Sequence, residues 1–248
     1  MITDRFAERS VAERLAAIAT GAAAAIVVIA LCVVPFLSPA WIGFEQDRTH
    51  AASLVGYSEA DLRFATNAIV HDLVLGPPDF AVAVGGVPVL EERERQHMRD
   101  VRGVFAEFAV LAAVAGILLV VLVGGAWRRG HQARAWSAIA SGMRWLIGAI
   151  VAAGLIAAVA FDSIFEIFHE LFFPAGSFTF DPRTDRLVQL FPFDFWSETT
   201  IVLGIVIVVV ATGVSLIAGR LARRGTGAGS PTTVAIDPTT ASLARSSR

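Results

Sequence analysis

FEIFHELFFPAGSFTFDPRTDRLVQLFPFDF, residues 165–195, is the stretch on which the reading of this chain turns. It opens as the end of an apolar helix, breaks at Pro174, and continues as a polar-aromatic segment that reads as a short hairpin. A second apolar helix begins a few residues later. His169 sits where the apolar helix meets that segment. Ionisable groups near a bilayer cost free energy, so their presence there points to a function.

Working outward, the chain is dominated by apolar runs. Of its 248 residues 55% are hydrophobic and 17% charged, and the mean hydropathy is +0.65. That composition places it among all-α integral membrane proteins. The net charge of −2 carries no signal for nucleic acid. All 20 basic residues are Arg, and the single Cys32 excludes an internal disulfide and any cysteine cluster.

Four runs are long enough to cross about 30 Å of hydrocarbon. They are 15–37, 104–127, 145–168 and 200–221. The first competes with a signal peptide, because Ser38-Pro39-Ala40 resembles a cleavage site. Its length exceeds an h-region of roughly 7–15 residues, which favours a retained span. Residues 1–14 are polar, 128–144 form a connection, and 222–248 read as a disordered tail rich in Gly, Ser and Thr.

Two loops separate the spans on the other side. Residues 38–103 contain an amphipathic helix over Tyr57–Leu75, with Leu62, Ala65, Ile69 and Leu73 at helical spacing. Asp79–Leu90 reads as a hairpin around Gly85-Gly86, and Glu91–Phe105 as a charged helix running into the second span. Residues 169–199 supply the second hairpin. The expected architecture is therefore four membrane helices under a small cap of β-hairpins and an amphipathic helix.

Arginines set the orientation. Arg5, Arg9, Arg14, Arg128, Arg129, Arg134, Arg144, Arg220, Arg223 and Arg224 share one side of a four-span chain, so both termini are expected in the cytoplasm. The cap is then extracytoplasmic.

Two histidines stand out. His97 precedes Val104 by seven residues, and His169 follows Phe161 by eight. At 1.5 Å per residue both lie about 10–12 Å above comparable levels of adjacent antiparallel spans, provided both helices run unbroken. Asp162, Glu166, His169 and Glu170 share a helical face, as do Glu94, His97 and Asp100. Carboxylates beside histidines favour general-base chemistry, with Glu166, Glu94 and Asp162 as supporting groups. The bland alternative pairs these acids with Arg93, Arg99 and Arg102 at the interface. The repeated Glu-x-x-His also suits a di-iron bundle, but that needs two further carboxylates. Glu45 and Glu198 would have to fold back to supply them, so no metal is expected. His50 and His71 belong to the outer loop, and His131 to the cytoplasmic Arg cluster.

At FHELFFP, followed by FDPRTDRLVQLFP and DFW, the sequence resembles the lipoprotein intramolecular transacylase (Lit) family. QHMRDV before the second span adds to the likeness. The resemblance implies four membrane helices with an extracytoplasmic β-rich cap, and His97 and His169 as catalytic residues. It implies transfer of an acyl chain from the glyceryl group of a diacylglyceryl lipoprotein to its own N-terminal cysteine amine, without a cofactor. Membrane lipid and that lipoprotein would be the partners. Phe172, Phe173 and Tyr57 are the side chains assigned to substrate contact. A different reading keeps the membrane scaffold but makes the cap a non-catalytic module, an envelope sensor or assembly partner that binds protein.

The topology is directly testable. A reporter active only in the cytoplasm should give signal when fused after Arg129 or Arg224, and none after Gly86 or Asp185. Signal at Gly86 would place the cap inside and overturn the orientation.

Overall fold

In hydrocarbon every backbone N–H and C=O must find a partner within its own segment, which leaves helices as the form for these runs. The computed structural model describes residues 2–227. The long helices are α1 (Ile2–Val33), α5 (Glu92–Arg128), α6 (Gln132–Phe172) and α8 (Phe193–Gly227). The most apolar 18-residue windows of their spans, Val11–Leu37, Glu92–Arg128, Gln132–Phe172 and Phe193–Gly225, have mean hydropathies of 2.7, 2.8, 2.2 and 2.9. The chain is a mostly helical, multi-pass membrane protein. The tail expected to be disordered lies outside the described residues beyond Gly227; before it, 222–227 are helical.

Helix α6 is the centre of the bundle, packing on α8 and α1, while α5 leans on α1. Their shared core holds Ala24, Val28 and Cys32 from α1, Ile139 and Met143 from α6, and Ile207 and Ala211 from α8. Without a hydrophobic drive between helices in lipid, close backbone approach supplies the packing. The crossing of α1 and α6 shows this at Gly21 and Gly142. A Cβ on Gly142 would fall inside the contact radius of the Gly21 backbone.

Between α1 and α5 the chain builds a second core. A 3-10 turn at Val34–Leu37 leads to α2 (Pro39–Arg48), α3 (Ala51–Val55) and α4 (Glu59–Val74). Ser38 caps α2 by accepting from Trp41 N, and Ser58 caps α4 by accepting from Asp61 N. Leu62, Ala65, Ile69 and Leu73 of α4 are all buried, as their spacing predicts. They pack with Phe80, Leu90, Met98, Leu190 and Phe195. Strands β1 (Ala83–Val84) and β2 (Val87–Pro88) pair antiparallel. Gly85 and Gly86 have φ of 59° and 82°, the pair of positive values that a two-residue type I′ turn needs.

Ties to α8 hold this core on the bundle. Trp41 Nε1 donates to Thr199 Oγ1 at 3.2 Å, and Arg48 Nε to Glu198 Oε2 at 2.8 Å. Glu45 is buried beside them; burial first, and then the Glu198 carboxylate, push its carboxyl above the usual range. Glu45 and Glu198 thus meet each other around Arg48.

The second hairpin is not formed. Among the described residues β1 and β2 are the only paired strands. Residues 174–185 are a strap of local turns, with Ser177 N bonded to Pro174 O and Asp185 N to Asp181 O. Pro174, Pro182 and Pro192 each lack the N–H that a ladder requires. The strap ends in α7 (Arg186–Leu190), a single turn that buries Leu187 and Leu190 at i and i+3.

The α1/α6 crossing generates a stability test. Ala in place of a helical Gly gains about 0.5–1 kcal/mol of propensity where there is room. Gly148 has that room, whereas overpacking at Gly142 costs about 1–3 kcal/mol. In detergent, thermal unfolding should show Gly148→Ala at or above the parent and Gly142→Ala below it. Equal melting temperatures would mean the helices do not cross at Gly142.

Candidate active site at the cap ends of helices α5 and α6

Helix α5 begins at a buried carboxylate. Glu94, 1% exposed, accepts from Glu91 N at 2.7 Å through Oε2 and from Leu187 N at 2.6 Å through Oε1. The first bond closes the helix start, and the second fastens α7 to α5. His97 follows three residues on, only 6% exposed, and its Nδ1 is buried with no protein partner.

His169 approaches from α6, which is not continuous. Ala160 has φ −145° and ψ 38°, a break that redirects residues 161–172. No proline or glycine within three residues marks it. Beyond the break the two imidazoles meet in a stack, with centroids 6.1 Å apart and planes 21° from parallel.

Phenylalanines enclose the pair. Phe173 lies 4.8 Å from His97 and 5.4 Å from His169, centroid to centroid. Phe165 is 4.1 Å from His169, and the strap contributes Phe178 at 5.3 Å from His169 and Phe180 at 5.4 Å from His97. This surround has few hydrogen-bonding groups, which strengthens electrostatic interactions inside it.

The partner of His169 is the backbone. Its Nδ1 lies 2.7 Å from Phe165 O. A carbonyl only accepts, so Nδ1 carries the hydrogen and Nε2 is left with the lone pair when the ring is neutral. Glu166, expected to orient the ring, is exposed, as are Asp162 and Glu170. Glu94 is occupied by backbone N–H groups and does not orient His97. The two faces thus bring the histidine rings together, while His169 bonds to a carbonyl and Glu94 to backbone N–H groups.

Of the aromatic candidates, Phe173 joins the site. Phe172 turns away: it is 46% exposed and packs on Phe168 at 4.8 Å. Tyr57 belongs to the cap core, with Arg186 Cζ 5.2 Å from its ring. His71 is exposed beside Asp72, and His131 precedes α6 at its opposite end. Among the described residues no three His, Cys, Asp or Glu are grouped as a metal site would require.

Arg93, expected only to pair with the interfacial acids, reaches the strap instead. It donates to Thr179 O and to Asp185 Oδ2, both at 2.7 Å, and its guanidinium lies 4.8 Å from the Phe180 ring. The available signal was its i, i+4 spacing from His97.

Three solved structures share this fold. The membrane integral lipoprotein intramolecular transacylase Lit from Bacillus cereus superposes with a TM-score of 0.70 at 18% identity, covering 88% of this chain and 97% of that one. Two variants of it, each with one histidine replaced, give TM-scores of 0.72 (arginine) and 0.71 (alanine) at 17% identity. They cover 92% and 90% of this chain and 97% of theirs. A search of curated proteins finds no match. The family model for lipoprotein intramolecular transacylase Lit matches residues 18–196, most of the length and both histidines, and the chain belongs to that family.

Proposed function

We propose that this protein is a lipoprotein intramolecular transacylase working at the outer leaflet, with the cap outside and both termini in the cytoplasm. The observation that carries the reading is the stacked pair of His97 and His169 at the cap ends of two membrane helices, enclosed by phenylalanines. Family membership and the shared fold support the substrate class.

The chemistry is aminolysis of an ester. An α-amino group has a pKa near 8, so a useful fraction is unprotonated at neutral pH. The amine nitrogen attacks the carbonyl carbon of the glyceryl ester, and a C–N bond forms. His169 Nε2 accepts the proton that the nitrogen sheds, its hydrogen-bearing Nδ1 being held by Phe165 O. The C–O bond then breaks, and the same proton passes to the departing glyceryl oxygen. His97 donates an N–H to the carbonyl oxygen while it bears negative charge. Atoms balance with no cofactor: the products are an N-acyl cysteine and a lysoglyceryl group on the same molecule. Because donor and acceptor share one substrate, proximity supplies several kcal/mol of barrier reduction.

Groups that act as a unit give non-additive mutational effects. His169→Ala and His97→Ala should each cost about 2–4 kcal/mol of transition-state stabilisation. The double variant should cost little more than the worse single one. Mass spectrometry of lipoprotein N-termini, in cells and with purified protein, reads the transfer. His71→Ala and His131→Ala should stay near the parent. Full transfer by a folded double variant would sink the catalytic reading and leave a binding module.

Glu166 separates two ways of orienting the base. Since a carbonyl holds His169, Glu166→Gln should retain activity within about threefold, the scale of an exposed electrostatic contact. A loss as large as that of His169→Ala would restore the carboxylate to the mechanism.

A further inference from the structure

His97 is enclosed in a way that conflicts with use. Its ring is 6% exposed, and Phe173 and Phe180 pack on it, so a lipoprotein amine or ester has no route to it in this arrangement. Something above the pair has to move.

The strap is the element built to do so. Its backbone bonds are local turns between Pro174 and Ser177 and between Asp181 and Asp185. Gly176, at φ 80°, leaves it a flexible bend near the helix end. Both ends are anchored. Phe173 is buried at the close of α6, and α7 is pinned by Glu94 to Leu187 N and by Gln46 to Leu190 O. Between those anchors Arg93 grips the strap three times, at Thr179 O, at Asp185 and over the Phe180 ring. Arg93 is half exposed on the rim, so water competes for each contact.

We propose that residues 174–185 form a lid over the histidine pair, latched by Arg93, and that substrate reaches His97 only when this latch releases. The lid carries Phe178 and Phe180, so opening removes one ring from each imidazole while α7 and Glu94 hold the far hinge in place. Closing after substrate enters would exclude water and so protect the ester from hydrolysis. Arg93 is therefore a positioning residue that acts through the strap. The proposal rests on the reading of His97 and His169 as the reacting pair for its purpose, but not for its test.

The test is chemical access to His97 in the full-length protein in detergent, read by peptide mass spectrometry after brief treatment with diethyl pyrocarbonate. Arg93→Gln should speed carbethoxylation of His97 by about tenfold, the scale of losing a half-exposed ion pair with a cation–π contact. His71, already exposed, is the internal reference and should not change, and buried Cys32 should stay unreactive to maleimide as a check on folding. Asp185→Asn is the second variant, removing the ion pair from the strap side, and should act in the same direction. Arg93→Lys should lie between Arg93→Gln and the parent, since it keeps the charge and loses the fork. Unchanged labelling of His97 in both Arg93→Gln and Asp185→Asn would overturn the lid. That result is independent of activity: if the double histidine variant still transferred acyl chains, the catalytic reading would fall while the labelling rates still decided the lid.

Discussion

One buried carboxylate ties the membrane bundle to the cap. Glu94 accepts two backbone N–H groups, one from the start of its own helix and one from α7 more than ninety residues later. Both bonds are under 3 Å and the group is almost wholly inaccessible. Removing the carboxylate would strand the buried Leu187 N–H, at about 1–3 kcal/mol, and uncap the part-buried Glu91 N–H. The same atoms thus set where α5 begins, which places His97 a turn later, and where the strap must end. Gln46, donating to Leu190 O at 2.9 Å, holds α7 at its other end and links it to α2. The site is consequently fixed from below by helices and from above by a single turn held at both termini.

The membrane and the cap impose different demands on sequence. Within the bilayer, Gly21 and Gly142 let α1 and α6 touch backbone to backbone, where side chains would only separate them. In the cap, burial of Leu62, Ile69, Phe80 and Leu190 drives packing, and polar groups left inside must be matched. Gln46, donating to Thr66 Oγ1 and Leu190 O, does that matching inside the cap, while Trp41 to Thr199 and the exposed Arg48 to Glu198 tie the cap to α8 at their seam. The histidines lie at the same kind of seam, between α5, α6 and the strap.

How much of this was legible depends on the range of the signal. The α4 stripe and the Gly85-Gly86 turn are local patterns, and both formed as read. The encounter of His97 with His169 followed from counting residues along two antiparallel helices, and it survived the break at Ala160 that the count had not allowed for. Helices α2 and α3 carry no comparable signal, since ten and five residues are too short for a periodic apolar pattern to stand out. The second hairpin failed for a physical reason: alternating aromatics suggest a strand, but prolines remove donors and no second strand lies alongside. The expected pairing of Glu166 with His169 differs for another reason. A shared helical face places a carboxylate near an imidazole, but it does not say which atoms bond, and the i−4 carbonyl was nearer.

That substitution of a carbonyl for a carboxylate matters for the proposed reaction. A carboxylate beside an imidazole favours the charged ring and so holds the proton there. A peptide carbonyl selects the tautomer equally well and adds no net charge. In aminolysis the base must give up what it takes, since the proton that leaves the amine has to reach the departing glyceryl oxygen. A backbone-held His169 is suited to that relay: its Nδ1 is fixed by the helix itself, and its Nε2 is free to receive and return one proton. His97, its Nδ1 unbonded inside the aromatic surround, keeps an uncommitted ring nitrogen for the substrate oxygen that the proposed reaction would bring to it once the strap opens. In the proposed reaction two identical side chains, one bonded to the helix and one unbonded, thus take different roles from their surroundings alone.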